Sequence, residues 1–428
     1  MSSGLGARDA RALWHPYTQH GLETAPLPVV SASGAVLTLE DGRTLIDAVS
    51  SWWTCLHGHG HAALVEAMRL QAQRLDHVLF AGTTHEPAVR LAEDLLAAWN
   101  GPLDRPLSRV FFSDDGSTAV ETALKMTRQM WVHRGEVSRA LFVALEGGYH
   151  GDTIGAMSIG DPEPFGGPWA PMRFPALLVP PDAGRLESVL HEHRSRVAGL
   201  VLEPLVQGAA GMRMYAPGFL KDARTLCDRF GIPLIADEVF TGFGRTGALF
   251  ASHAAGVAPD LVCLAKGLTG GMLPLAATLA SEEIYEAFLS RDRSRAFLHG
   301  HSMTANPIAC AVASTSLALC RTEETPARLA RLGDRIVAAL APCRGLAGVA
   351  DVRALGGVVA VELRPEESGG GGYFAGRALR LRELAARLGV LLRPLGDVLY
   401  TVPPSCTTPE QAGRIAEAIA ACAGAPRC

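Results

Sequence analysis

Short apolar runs alternate with longer stretches of helical periodicity through the middle of this 428-residue chain, and this alternation constrains the fold most. The runs are RVFFS around Val110, ALFVALE around Phe142, GLVLEP around Val201, PLIADEV around Ile235 and LVCLAK around Val262. Such a pattern predicts an α/β fold, a mostly parallel sheet covered by helices. One helix is expected to start near Ser117 and run through ETALKMTRQMWVHR, with Val120, Leu124 and Thr127 or Met130 on one face. Another should follow Pro217 and stop before Gly231-Ile232-Pro233. From about residue 325 the pattern changes to Arg- and Ala-rich helical segments, a short strand pair around GGVVAVEL and the run SGGGG at 368–372. A second lobe is expected there, with the glycines as a mobile loop or a tolerated surface insertion.

A hydrophobic content of 48% is enough for a large core. The net charge is −4 with the signs mixed, so no basic stripe marks a nucleic-acid partner; small molecules and copies of the chain itself fit better. Nine cysteines are scattered without CxxC pairs or zinc spacing, which predicts free thiols in a reducing compartment and no metal. The N-terminal MSSGLGARDARALWHPY lacks the apolar core of a signal peptide, and no apolar run approaches the ~20 residues of a membrane span. A cytoplasmic protein without a membrane partner is expected.

The chemistry gathers at the ends of the apolar runs, where open α/β sheets bind their ligands. IPLIADEVFTGFGRTG puts Asp237 and Glu238 at one strand end, followed by glycine-rich chain and Arg245. DLVCLAKGLTGG puts Lys266 at the next. Burying an ammonium is costly, and conversion to an imine with pyridoxal phosphate removes that cost, with Asp237 as acidic partner for the pyridinium nitrogen. FFSDDGSTAVETALK turns from strand to helix at Gly116 and Ser117, where a helix N-terminus can hold a phosphate. LEGGYHGDT places Tyr149 at a further strand end, able to stack on a flat ring, and Glu203-Pro204 adds a second carboxylate. Taken singly, each has a plainer reading: a solvated lysine, an ordinary helix cap, a packing aromatic.

The stretches FFSDDGSTAVETALKM, GYHGDTIGAMSIG, EPLVQGAAGM, IADEVFTGFGRTG, LAKGLTGG and HGHSMTANPIACA occur in one order along the chain. From about His15 to Pro403 the sequence resembles the class III aminotransferases, a branch of the fold-type I pyridoxal-phosphate enzymes. The resemblance implies a large cofactor-binding domain at 56–322 with a mostly parallel seven-stranded sheet. A smaller α+β domain would be built from both termini, 1–55 and 323–428. It implies Lys266 as the imine-forming and proton-transferring residue, Asp237 as the pyridinium partner, and Tyr149 stacked on the ring with Asp152 nearby. Gly116 and Ser117 would hold the phosphate, and Arg245 would help order the pocket. In this family the neighbouring subunit completes the phosphate site, and the matching position is Ser302, so a homodimer with active sites at its interface is implied.

Within the family, WHPYT, SSWW and LLRPLGDVLYTVPP look most like the branch that aminates 8-amino-7-oxononanoate in biotin biosynthesis, with S-adenosylmethionine as donor. That likeness implies Tyr17, Trp52, Trp53, Gly300 and Tyr400 at the substrate, Tyr17 also in catalysis, and Arg393 on the substrate carboxylate. A long aliphatic acid calls for an apolar channel ending in a bidentate cation. In one place the chain departs: where well-known members of that branch carry Pro-Thr after His-Gly, it has His301-Ser302. Lysine therefore stands as an alternative donor, and an ω-aminotransferase acting on diamines or ω-amino acids as an alternative activity.

Overall fold

The computed structural model describes residues 4–23, 25–101, 103–161, 163–366, 373–374, 376 and 377–425. The glycine run at 368–372 and Cys428 lie outside the described residues.

Seven strands form the main sheet: β1 (Leu107–Ser113), β2 (Leu141–Leu145), β3 (Ala176–Val179), β4 (Val197–Leu202), β5 (Leu234–Asp237), β6 (Leu261–Leu264) and β7 (Ala276–Ser281). Their order is β1-β7-β6-β5-β4-β2-β3. β6, β5, β4, β2 and β3 run parallel, and β7 is antiparallel to β6 and to β1. The alternation along the chain thus reads through to a mostly parallel α/β sheet.

Successive residues of the central strands pack into different core clusters. Leu261 and Cys263 join one with Ala119, Val120 and Ala123 of the helix Gly116–His133, while Val262 and Leu264 join another with Phe243 and Leu268. With a side-chain period of two, this means both faces of the sheet are covered, so central strands read as unbroken apolar runs. β3 and β7 were not among the runs named from the sequence. β7 reads AATLAS, poor in β-branched residues, and takes its place as a strand only because it is wholly packed between β6 and β1.

Gly116–His133 begins with a capping box between Asp115 and Thr118 and buries Val120, Leu124, Thr127 and Met130, the face expected from spacing. Pro217–Phe230 opens with proline in its first turn and closes on Gly231 at φ 62°, a left-handed cap that favours glycine.

Beyond residue 322 the helices Thr325–Ala339 and Pro409–Ala423 pack with the antiparallel sheet Val349–Leu355, Val358–Leu363 and Val398–Thr401, and Arg377–Arg387 packs against Pro409–Ala423 and the strand Val390–Leu391. Thr44–Asp47, from the other end of the chain, pairs in parallel with Val390–Leu391. We propose that 1–55 and 323–428 form one lobe and 56–322 the other; the sheet shared by both termini supports this. Phe112 and Leu264 of the large sheet share a core cluster with Val361 and Leu399 of the three-stranded sheet and Ile419 of the helix Pro409–Ala423, so apolar packing runs continuously between them.

Candidate active site

The parallel strands end on one edge, and their ends surround a cavity of about 410 Å³ lined by Asp237, Lys266, Gly116, Ser117, Tyr149, His150 and Trp53 among others. Asp237 closes β5 opposite Cys263 of β6, and Lys266 follows β6 by two residues. One oxygen of Asp237 accepts the Val239 N–H at 3.0 Å; the other lies 2.7 Å from Nδ1 of His150. Asp237 and His150 are both buried. Burial opposes charging of His150, but the bond to Asp237 outweighs it and raises the imidazole pKa. Burial lowers the Lys266 pKa to about 8, against the attraction of Asp237 and Glu203. Burial likewise pushes Glu203 up to about 7, although its carboxylate accepts the N–H groups of Tyr149 at 3.0 Å and Gly208 at 2.9 Å.

Gly116 and Ser117 occupy the first turn of an 18-residue helix, whose N–H groups point out of the helix and carry its positive end. A Cβ on Gly116 would meet Val239 Cγ1 at 2.6 Å, so any other residue here would have to displace Val239 from the cavity wall. Ser117 Oγ accepts the Asp152 N–H at 3.2 Å. Asp152 in turn accepts a short hydrogen bond from the Tyr17 hydroxyl, which lies 3.1 Å from that of Tyr149. These polar groups tie the N-terminal segment to the strand ends.

A second cavity of about 360 Å³ is lined by Tyr17, Leu22, Phe165, Leu379, Pro394 and Arg393, among others. Between the cavities runs Ser50–Trp53, whose φ angles are 47°, 43°, 73° and 71°. Four successive non-glycine residues in the left-handed region cost about 1 kcal/mol or more each, so surrounding bonds must hold them. Trp53 is buried, with Lys266 Nζ 4.5 Å from its ring centroid. Trp52 is partly exposed, 5.4 Å from the ring of Tyr17, with Arg393 Cζ 4.6 Å from its centroid. Arg245, buried on the far side, donates to the Trp53 carbonyl at 3.0 Å and the Pro403 carbonyl at 3.1 Å.

Tyr400, expected at the substrate, lies elsewhere. It is 2% exposed behind Trp53, whose indole N–H donates to its hydroxyl at 3.2 Å, and it lines neither cavity. Its burial in the strand Val398–Thr401 makes it a support for Trp53. Gly300 and Ser302 are exposed and line neither cavity within one chain; between them in sequence, His301 pairs with Asp114 at 2.9 Å.

Three residues of this region were not singled out from the sequence: His150, Asp47 and His59. His150 follows Tyr149 in GYHGDT, so its strand-end position was a usable signal. Asp47 and His59 belong to no motif, and only the turn brings them together. Among the described residues no cluster of three or more His, Cys, Asp or Glu side chains is arranged to hold a metal.

A lysine and a buried aspartate at adjacent strand ends of this sheet face an open helix N-terminus, an arrangement suited to an imine-forming ligand that carries a phosphate. The chain belongs to the class III aminotransferases, whose family model, Aminotransferase class-III, matches residues 17–423. It is 46% identical to an adenosylmethionine-8-amino-7-oxononanoate aminotransferase of Synechococcus elongatus, over 95% of this chain and 97% of that one. The crystal structure of an adenosylmethionine-8-amino-7-oxononanoate aminotransferase from Methanocaldococcus jannaschii has a TM-score of 0.92 and 34% identity, covering 98% of each chain. An amine transaminase from an uncultivated Pseudomonas species, in its PLP-bound form, has a TM-score of 0.88 and 33% identity over 96% of this chain and 98% of its own.

Proposed function

We propose that this enzyme transfers an amino group from S-adenosylmethionine to 8-amino-7-oxononanoate, giving 7,8-diaminononanoate in biotin biosynthesis, with pyridoxal 5'-phosphate as cofactor. The observation that carries the reading is the pair of adjoining cavities, one holding Lys266 and Asp237, the other mostly apolar with Arg393 and the Arg382–Glu23 ion pair in its wall. The names of the relatives support it.

The first cavity fits the cofactor. Its wall contains a buried imidazole nitrogen, His150 Nε2, without a partner, and at Gly116 a backbone packed so closely on Val239 that a side chain there would have to displace it. Gly116 and Ser117 would hold the phosphate, Asp237 the ring nitrogen, Lys266 the aldehyde carbon, and Tyr149 a ring face. When bound, pyridoxal phosphate supplies the electron sink for the substrate carbon that loses a proton and carries the amino group between donor and acceptor.

The side chains would do the rest. Lys266, its amine brought to about 8, takes a proton from the donor's α-carbon and returns one to the acceptor carbon. Asp237, backed by His150, presents a carboxylate to the positive ring nitrogen. Tyr17, anchored on Asp152, closes the reacting end against water. Trp52 and Trp53 flank the aliphatic chain, and Arg393 meets its carboxylate with two donors.

The reading extends to a cytoplasmic homodimer, in which Gly300 and Ser302 of one subunit complete the site of the other. Their exposure supports this, as do the exposed apolar side chains Leu298 and Met303 beside them.

The test follows the cofactor absorbance of the loaded enzyme after adding S-adenosylmethionine or lysine separately, then 8-amino-7-oxononanoate. Conversion by S-adenosylmethionine, reversed by the acid with diaminononanoate detected by mass spectrometry, is expected. Conversion by lysine alone would replace the donor, and conversion only by simple diamines would make the enzyme an ω-aminotransferase.

A further inference from the structure

The left-handed turn Ser50–Trp53 connects the two positive groups of the site. Trp53 lies beneath the Lys266 amine at 4.5 Å and Trp52 beneath the Arg393 guanidinium at 4.6 Å. One peptide step therefore links the platform of the reacting amine to that of the carboxylate-binding cation. A right-handed or extended backbone would rotate one ring away from its cation, since side-chain direction follows backbone geometry.

Asp47 holds the turn. Its fully buried carboxylate accepts the N–H groups of Val49 at 3.3 Å and Ser51 at 3.0 Å, and the Ser51 hydroxyl at 2.7 Å. That leaves a buried negative charge, which is costly without a counter-ion. His59 Nε2 supplies one at 2.9 Å. Beyond their ion pair the two side chains reach only Val49, Ser51 and Cys55, whose sulfur lies 3.7 Å from His59 Nδ1, while the backbones bond Ala35 and Gly34 and Asp47 pairs with Leu391. Neither Asp47 nor His59 lines either of these two cavities.

We propose that Asp47 and His59 are positioning residues that set the span between Lys266 and Arg393, and through it the length of acid the enzyme accepts. The proposal rests on the reading of the substrate as a long-chain amino-oxo acid. Without the clasp the turn relaxes toward ordinary backbone geometry, Trp52 leaves Arg393, and the distance between reacting carbon and carboxylate is no longer selected.

The experiment compares the holoenzyme with its Asp47→Asn and His59→Gln variants on 8-amino-7-oxononanoate and on analogues one methylene shorter and longer. A single methylene is worth about 10-fold or more in a fitted site. Wild type is expected to discriminate by that much. The variants should discriminate less than about threefold, with the loss in KM for the acid rather than in kcat. Near-UV circular dichroism of the apoenzyme reads the tryptophan geometry directly, and both variants should change its tryptophan bands. Variants that keep wild-type length discrimination, or an unaltered tryptophan spectrum, would overturn the proposal. If wild type turns over none of the acids, the substrate reading falls and length selection with it, while the spectrum still decides the clasp. Should Asp47→Asn fail to fold, His59→Gln, which leaves the Asp47 carboxylate in place and removes only its counter-ion, carries both measurements.

Discussion

Nδ1 of His150 and Oδ2 of Asp237 lie 2.7 Å apart, each buried at the head of the parallel sheet. The acid that would face a cofactor ring nitrogen thus has a titratable base behind it, one whose pKa its own charge raises. Removing the acid and removing its backing should have different sizes of effect. Asp237→Asn deletes a buried charge partner, and single-turnover amino transfer should slow by about 10²–10³-fold. His150→Asn leaves the carboxylate and removes a supporting bond, with an expected loss of about 10-fold. Equal losses would mean that His150 does more than hold Asp237.

Lys266 titrates near 8 because burial disfavours its charged form. In apoenzyme its amine should gain nucleophilicity as pH rises through about 8, well below the 10.5 of a free lysine side chain. The chain has three lysines, and the other two, Lys125 and Lys221, are exposed, so peptide mass spectrometry after amine labelling reads each separately. Lys266 labelling that rises only near pH 10 would contradict the burial argument. Lys266→Ala should lose at least about 10⁴-fold in turnover while the fold is kept.

Glu203 makes stability depend on pH. Its folded pKa of about 7 lies above the ordinary 4.5, so between these values the folded chain binds more protons than the unfolded one. The group's contribution is most favourable below that window and diminishes as pH rises through it. Glu203→Gln removes the term and keeps an acceptor for Tyr149 or Gly208. Melting curves from pH about 5 to about 7 should move in favour of the variant as pH rises; a constant offset would place the raised pKa elsewhere.

Gly151 sits at φ 125°, and a Cβ there would come within 2.1 Å of Ser117 Oγ. Gly151→Ala combines backbone strain with a clash in the phosphate wall and should destabilise the protein by about 3 kcal/mol. A thermal midpoint within about 1 °C of wild type would show that the loop relaxes freely. Cofactor affinity should fall with it, because Ser117 is the side chain displaced.

Much of the site was legible because strand-end chemistry is local. Asp237, Lys266, Gly116, Ser117 and Tyr149 each lie at or within four residues of the end of an apolar run, and a parallel sheet gathers such ends on one edge whatever the details of packing. The small-residue strand Ala276–Ser281 was not legible, since AATLAS has no β signature and its strand state depends on its two neighbours. Tyr400 could be read as part of a pocket motif but not as a residue facing away from the pocket, because facing is set by the register of Val398–Thr401 against Val358–Leu363.

The sequence by itself determined the α/β class, the strand-end lysine and aspartate and the open helix N-terminus, all consequences of periodicity and short-range geometry. Tertiary structure alone decided that His150 backs Asp237. It alone twisted Ser50–Trp53 into the left-handed region, with Asp47 and His59 on one side and Arg245 on the other. Those contacts join residues far apart in the chain, and strained backbone persists only where such long-range bonds outweigh its local cost.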